Sequence, residues 1–133
     1  MRSFMPQVLP EAAPRLRVLV VDDEPTLRDV VADYLQDSGY IVDQAEDGVR
    51  ALERMRVARP DVIILDLMLP VMGARELVSA MRATPGLAAI PIVLLSAAHD
   101  LPRATEELQP RASLAKPVDL DVLLAVVARV ATS

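Results

Sequence analysis

The sequence reads as an α/β domain, a doubly wound sandwich whose parallel sheet is covered by helices on both faces. Three observations lead to that class. Short apolar segments alternate five times with segments of helical period. The apolar segments do not alternate with polar residues, as in Val62-Ile63-Ile64-Leu65, which fits strands buried on both faces. Polar residues interrupt them where they end, at Asp22 and Asp23, Asp66, Ser96 and Lys116. Right-handed crossovers would bring all those ends to one edge of the sheet, where ligands bind in such folds.

The elements follow in order. Met1 to Arg15 carries Pro6, Pro10 and Pro14 without any period and reads as a disordered or loosely docked extension. From Arg17 the chain becomes a strand that closes in Asp22-Asp23-Glu24. Pro25 suits a first helical position, and Leu27, Val30, Val31, Tyr34 and Leu35 then recur at helical spacing up to Ser38-Gly39. Tyr40 to Ala45 is a second strand, Asp47-Gly48 a turn, and Val49 to Val57 a helix with Leu52 and Met55 inward. The third strand runs from Val62 to Asp66. Gly73-Ala74 opens a helix with Leu77, Ala80 and Met81, and Ile90 to Ser96 is a fourth strand with Pro91 near its start, where a missing donor is tolerated. Pro102 and Pro110 bracket room for about two helical turns, so the fourth helix should be short or irregular. Ser113 to Lys116 is a fifth strand, and Leu120, Leu123, Leu124 and Val127 line the last helix.

Composition narrows the function. The chain has 133 residues, enough for one domain with a self-sufficient core. It contains no cysteine, so disulfides, thiolate nucleophiles and zinc–thiolate sites are excluded. A net charge of −5 has the wrong sign for tracking phosphate backbones, and 2% aromatic residues leave no platform for stacking bases, so direct nucleic-acid binding is not expected. The apolar runs, such as Ile90 to Ala98, are far shorter than the roughly 20 residues a bilayer span needs. No signal-peptide core is seen, and the expected location is the cytoplasm.

Converging carboxylates repel one another, so Asp22, Asp23 and Asp66 together call for a divalent cation. Oxygen donors without His or Cys favour Mg²⁺. Lys116 offers a point charge to a phosphoryl oxygen and Ser96 a hydroxyl beside it. An aspartate flanked by a metal and a lysine can act as a nucleophile towards phosphorus.

With these residues in view, the chain resembles the receiver domains of two-component response regulators. V-V-D-D-E-P after the first strand, D-V-I-I-L-D-L-M-L-P around the third, L-L-S-A after the fourth and L-A-K-P after the fifth match four signature blocks in order, over about Leu16 to Val130. The resemblance implies a flavodoxin-like five-stranded parallel sheet of order 2-1-3-4-5 in a three-layer sandwich with about five helices, with residues 16–133 as the receiver domain. It implies Asp66 as phosphoacceptor, and Asp22, Asp23, Asp66 and the Met68 backbone carbonyl as ligands of Mg²⁺. Ser96 and Lys116 would contact the phosphoryl group, and the Lys116-Pro117 bond would be cis. The implied partners are a sensor histidine kinase or a histidine phosphotransfer protein, a downstream protein, and in some members a second copy forming a homodimer. The domain would not be an enzyme beyond phosphorylation and dephosphorylation at its own aspartate.

Three features depart from the family pattern. Ser113 stands where an aromatic residue usually reports phosphorylation, the segment between Ser96 and Lys116 is shorter than usual, and Met72-Gly73-Ala74 replaces the common M-D-G after the third strand. Ser113 and the shortened segment motivate an alternative, a phosphorylation-independent interaction module on the same fold. A Mg²⁺-dependent phosphatase is disfavoured because its D-x-D motif on the first strand is absent. Capping of the first helix is the rival role for Asp22 and Asp23. For Glu106-Glu107 the expectation is a solvated helix face, and for the single histidine, His99, an exposed position.

Overall fold

The computed structural model describes residues 15–132. Five strands and five helices alternate along the chain: β1 (Arg17–Val21), α1 (Pro25–Asp37), β2 (Ile41–Ala45), α2 (Gly48–Val57), β3 (Val62–Asp66), α3 (Ala74–Arg82), β4 (Ile92–Ala97), α4 (Leu101–Leu108), β5 (Ala112–Lys116) and α5 (Leu120–Ala131). All strands are parallel, in the order β2-β1-β3-β4-β5. The expected sheet order and layering are therefore observed. The proposed extension falls, apart from Arg15, outside the described residues.

Successive residues of each strand feed opposite faces, which explains why the strands lack polar alternation. Leu19, Val21, Ile63, Leu65 and Leu94 join one core with Met55 of α2, Leu77 and Met81 of α3, and Leu108 of α4. Val18, Val20, Val62, Ile64, Val93 and Leu95 join the other with Val31 and Leu35 of α1 and Leu123, Val127 and Val130 of α5. Every residue of β3, Asp66 included, is buried.

Several boundaries differ from the sequence reading. Tyr40 precedes β2, because its N–H bonds back to Leu35 at the end of α1. The fourth strand starts at Ile92: Pro91 has no N–H, and the Ile90 N–H bonds to Leu87 in the preceding turn. Val30 is exposed and the inward face of α1 is Val31, Ala32 and Leu35; on α3, Val78 is buried and Ala80 only partly so. The fourth helix is short but regular. Pro102 sits within its first turn, and it ends where Gln109 takes a left-handed backbone, φ +51°.

Register delivers the site. Val21 pairs with Leu65, so the next residues, Asp22 just past β1 and Asp66 at the end of β3, come side by side. Asp66 faces Leu95, one residue before Ser96, and Lys116 faces Ala97. The loop after β3 is fixed from α2, where the buried Gly48 donates its N–H to the Met72 carbonyl at 3.1 Å.

A Cβ at Gly48 would lie 2.7 Å from Met72 Cγ and 2.8 Å from the Met72 carbonyl oxygen. The latter is backbone and can yield only by moving the loop. Gly48→Ala is therefore expected to cost about 1–3 kcal/mol in a urea melt. A wild-type midpoint would show that the loop does not press on α2.

Candidate functional site

β1 and β3 carry three carboxylates to one rim. Oxygens of Asp22, Asp23 and Asp66 all lie within 4.8 Å of one another. Asp22 and Asp66 are buried, each 3% exposed, whereas Asp23 faces solvent. Lys116, arriving at the end of β5, places Nζ 3.0 Å from Asp66 Oδ2. The Asp66 Oδ1 accepts the Met68 N–H at 3.3 Å.

Helix capping is performed by neither Asp22 nor Asp23. Glu24 caps α1, its carboxylate accepting from Thr26 N at 3.3 Å and Leu27 N at 2.7 Å. The rival role for the aspartate pair is thus filled by the next residue. Asp22 instead turns Oδ1 back onto the Glu24 N–H at 2.9 Å. Glutamate is not among the preferred N-caps, so sequence rules passed over it.

Burial pushes the Asp22 carboxyl above its ordinary range, and the nearby Asp66 and Asp23 charges push the same way. The Glu24 N–H and Lys116 oppose them without cancelling the effect. Three carboxylates with no nitrogen or sulfur donor fit a hard divalent cation, which would relieve both the desolvation and the mutual repulsion.

The other anticipated residues lie around this core. Ser96 is buried at the end of β4, with its hydroxyl donating to the Ala97 carbonyl at 3.3 Å. The Met68 side chain is exposed. The Lys116-Pro117 peptide bond is cis. In the loop between β3 and α3, Val71 adopts φ +62°, a left-handed backbone that a β-branched side chain disfavours. His99 is exposed, with Nε2 3.4 Å from Asp100 Oδ2, and is not a member of the Asp22–Asp23–Asp66 cluster.

Ser113 lies away from the acidic rim, half-buried beside Leu94. Its hydroxyl meets Thr105 Oγ1 of α4 at 2.7 Å, a pairing that the sequence reading missed. Glu107 is also more than a solvated charge. It accepts from Arg75 Nη2 at 2.7 Å, a contact between α3 and α4 that holds its carboxyl below the ordinary range.

The sequence matches the family described as the response regulator receiver domain over residues 18–128. The chain belongs to that family. Its members are the phosphoryl-accepting switches of two-component systems. Among curated relatives, the chain is 41% identical over 86 residues to the DNA-binding response regulator MtrA of Mycolicibacterium smegmatis; the match covers 65% of this chain and 36% of that protein. The chain spans less than half the length of the first curated relatives it matches. Among solved structures, the chemotaxis response regulator CheY4 of Vibrio cholerae superposes with a TM-score of 0.80 at 37% identity, covering 88% of this chain and 99% of that one. The receiver domain of sensor histidine kinase PA1611 from Pseudomonas aeruginosa PAO1 gives 0.80 at 28% identity, over 90% of this receiver chain and 100% of that one. That structure has a magnesium ion coordinated in its active-site cleft. No helix among the described residues of the present receiver is long and apolar enough to cross a membrane.

The raised pKa of Asp22 has a definite sign in stability. The folded domain binds this proton more readily than the unfolded chain does. Its unfavourable contribution is therefore complete above the folded pKa and fades as pH falls through it towards the unfolded value. Asp22→Asn keeps the acceptor for Glu24 and removes the charge. Without divalent ions it should raise stability at pH 7 by on the order of 1 kcal/mol, and the advantage should shrink in mild acid. Chemical melts at pH 7 and in mild acid check this; an Asn variant less stable at both would reverse the assigned sign.

Proposed function

We propose that Asp66 is the phosphoacceptor of this receiver domain, taking a phosphoryl group from the phosphohistidine of a sensor histidine kinase or a histidine phosphotransfer protein. The observation that carries the reading is the convergence of three carboxylates within 4.8 Å, with Lys116 Nζ 3.0 Å from one of them. A carboxylate oxygen of Asp66 attacks phosphorus, a new O–P bond forms, and the P–N bond of the donor breaks with its electron pair returning to the imidazole. The product is an aspartyl phosphate.

Asp22, Asp23, Asp66 and the Met68 carbonyl would hold Mg²⁺, which supplies neutralisation of charge on the transferring phosphoryl oxygens. Lys116 is within reach to leave its ion pair with Asp66 and follow the new phosphoryl charge. Ser96 can turn its hydroxyl from the Ala97 carbonyl towards the same group. Both movements exchange one polar partner for another, at the buried Ser96 of β4 and the partly buried Lys116 of β5, which is how a local charge change can bias the packing of the elements above them.

In this reading the domain works in the cytoplasm and is not an enzyme with turnover on a free substrate. Its output is an altered surface offered to a downstream protein, and a homodimer is one form that output can take. A second reading, a phosphorylation-independent interaction module, is favoured by one observation. Ser113 is tied by its hydroxyl to Thr105, so β5 carries no ring whose burial could report the state of the site.

Intact-mass measurement after incubation with Mg²⁺ and a small acyl phosphate separates the two. The expected result is one added phosphoryl group, lost in Asp66→Ala and reduced when Mg²⁺ is chelated. Mg²⁺ alone should raise the thermal midpoint of the wild type and leave Asp22→Asn unchanged. A folded wild-type protein that gains no mass under any of these conditions would favour the constitutive module.

A further inference from the structure

We propose that Arg28 is a positioning residue for the acidic site: it fixes the peptide unit between Asp22 and Asp23, and thereby the aim of both carboxylates towards a divalent cation. The inference rests on the reading that these carboxylates hold Mg²⁺.

The turn from β1 into α1 has to orient two successive side chains, one buried and one exposed. The Asp22 N–H is held by the Ala45 carbonyl at 3.1 Å, and Asp22 Oδ1 by the Glu24 N–H at 2.9 Å. The Asp22 carbonyl remains, and it belongs to the peptide that joins the two aspartates. That carbonyl accepts from Arg28 Nη1 at 2.8 Å. Arg28 is half-buried on the first turns of α1, and its Nε donates to Gln44 Oε1 on β2 at 3.0 Å. The guanidinium thus spans from the turn to the neighbouring strand, while the main-chain N–H of Arg28 donates to the Glu24 carbonyl at 3.0 Å. Its planar fork suits two donors at fixed directions, which an ammonium cannot reproduce.

Rotation of the Asp22–Asp23 peptide would swing the Asp23 side chain relative to Asp22. A hydrogen bond from an ionised donor to the carbonyl of that unit resists the rotation. Groups that orient metal-binding side chains from one shell out commonly contribute tenfold or more to metal affinity.

Charge alone predicts the opposite effect. Arg28 is a cation next to the backbone of a carboxylate cluster, so removing it should tighten binding of a second cation by Coulomb's law. The sign of the change therefore separates positioning from electrostatics. It also separates positioning from a general structural role, which would lower the melting temperature without altering affinity in the folded population.

The experiment is calorimetric titration of Mg²⁺ into the full chain, with melting curves run alongside. Arg28→Met, close in shape and without donors, should bind Mg²⁺ about tenfold more weakly than wild type. Arg28→Lys should fall between them, and Gln44→Ala, which removes only the second leg and changes no charge, should weaken binding severalfold. Equal or tighter binding by Arg28→Met, with wild-type binding intact, overturns the proposal alone. If Arg28→Met does not fold, Arg28→Lys and Gln44→Ala decide, and wild-type affinity in both overturns it. A folded wild-type protein that takes up no Mg²⁺ overturns the metal reading and the positioning role with it.

Discussion

Three carboxylates stand within 4.8 Å of one another at the ends of two desolvated strands, β1 and β3, with Lys116 ion-paired to one of them, Asp66. Left to themselves these groups would separate into water. They are held because the backbone ladder of β1 and β3 leaves no choice: Val21 is locked opposite Leu65, and the next residue on each strand is an aspartate. The apolar contacts of β3 with both helical layers supply the free energy that keeps the repulsive rim assembled. A cation placed among these carboxylates would lower an energy that the fold has already raised.

The surroundings of the rim are organised to fix geometry rather than to add charge. Glu24 takes over the capping of α1 and leaves the aspartate pair free of it. Arg28 and the Glu24 N–H satisfy the carbonyl and one carboxylate oxygen of Asp22. On the other side, Gly48 clamps the loop after β3 through Met72, and Val71 in that loop holds a left-handed backbone. Strain of this kind persists only where neighbouring contacts over-determine the backbone.

The face formed by α4 is assembled differently. Within α4 only Ala104 and Leu108 are buried. Polar links supplement them: Arg75 to Glu107, Arg82 to the carbonyls of Leu108 and Gln109, and Thr105 to Ser113. An element with few buried apolar contacts sits at the low end of local stability, and its attachments are directional bonds that can be exchanged. With Ser113 in place of a ring, β5 meets this helix at that position through a hydroxyl pair.

Much of this was legible in the chain itself. Unbroken apolar strands separated by helical segments specify a parallel sheet with two covered faces, because the hydrophobic pattern is local and survives without knowledge of neighbours. The polar residues ending those strands, Asp22, Asp23, Asp66, Ser96 and Lys116, were identifiable for the same reason: each interrupts a run that has no other cause to stop. Tertiary structure alone decided the rest. That Arg28 reaches from the helix to Gln44 and the Asp22 carbonyl, that Ser113 meets Thr105, and that Val31 rather than Val30 faces the core depend on how neighbouring elements pack or on which side of a helix meets the sheet; the Glu24 cap is local, and sequence rules passed over it because glutamate is not a preferred N-cap. Hydrogen bonds are short and directional, so a spacing rule cannot find them until packing has set the two partners within about 3 Å.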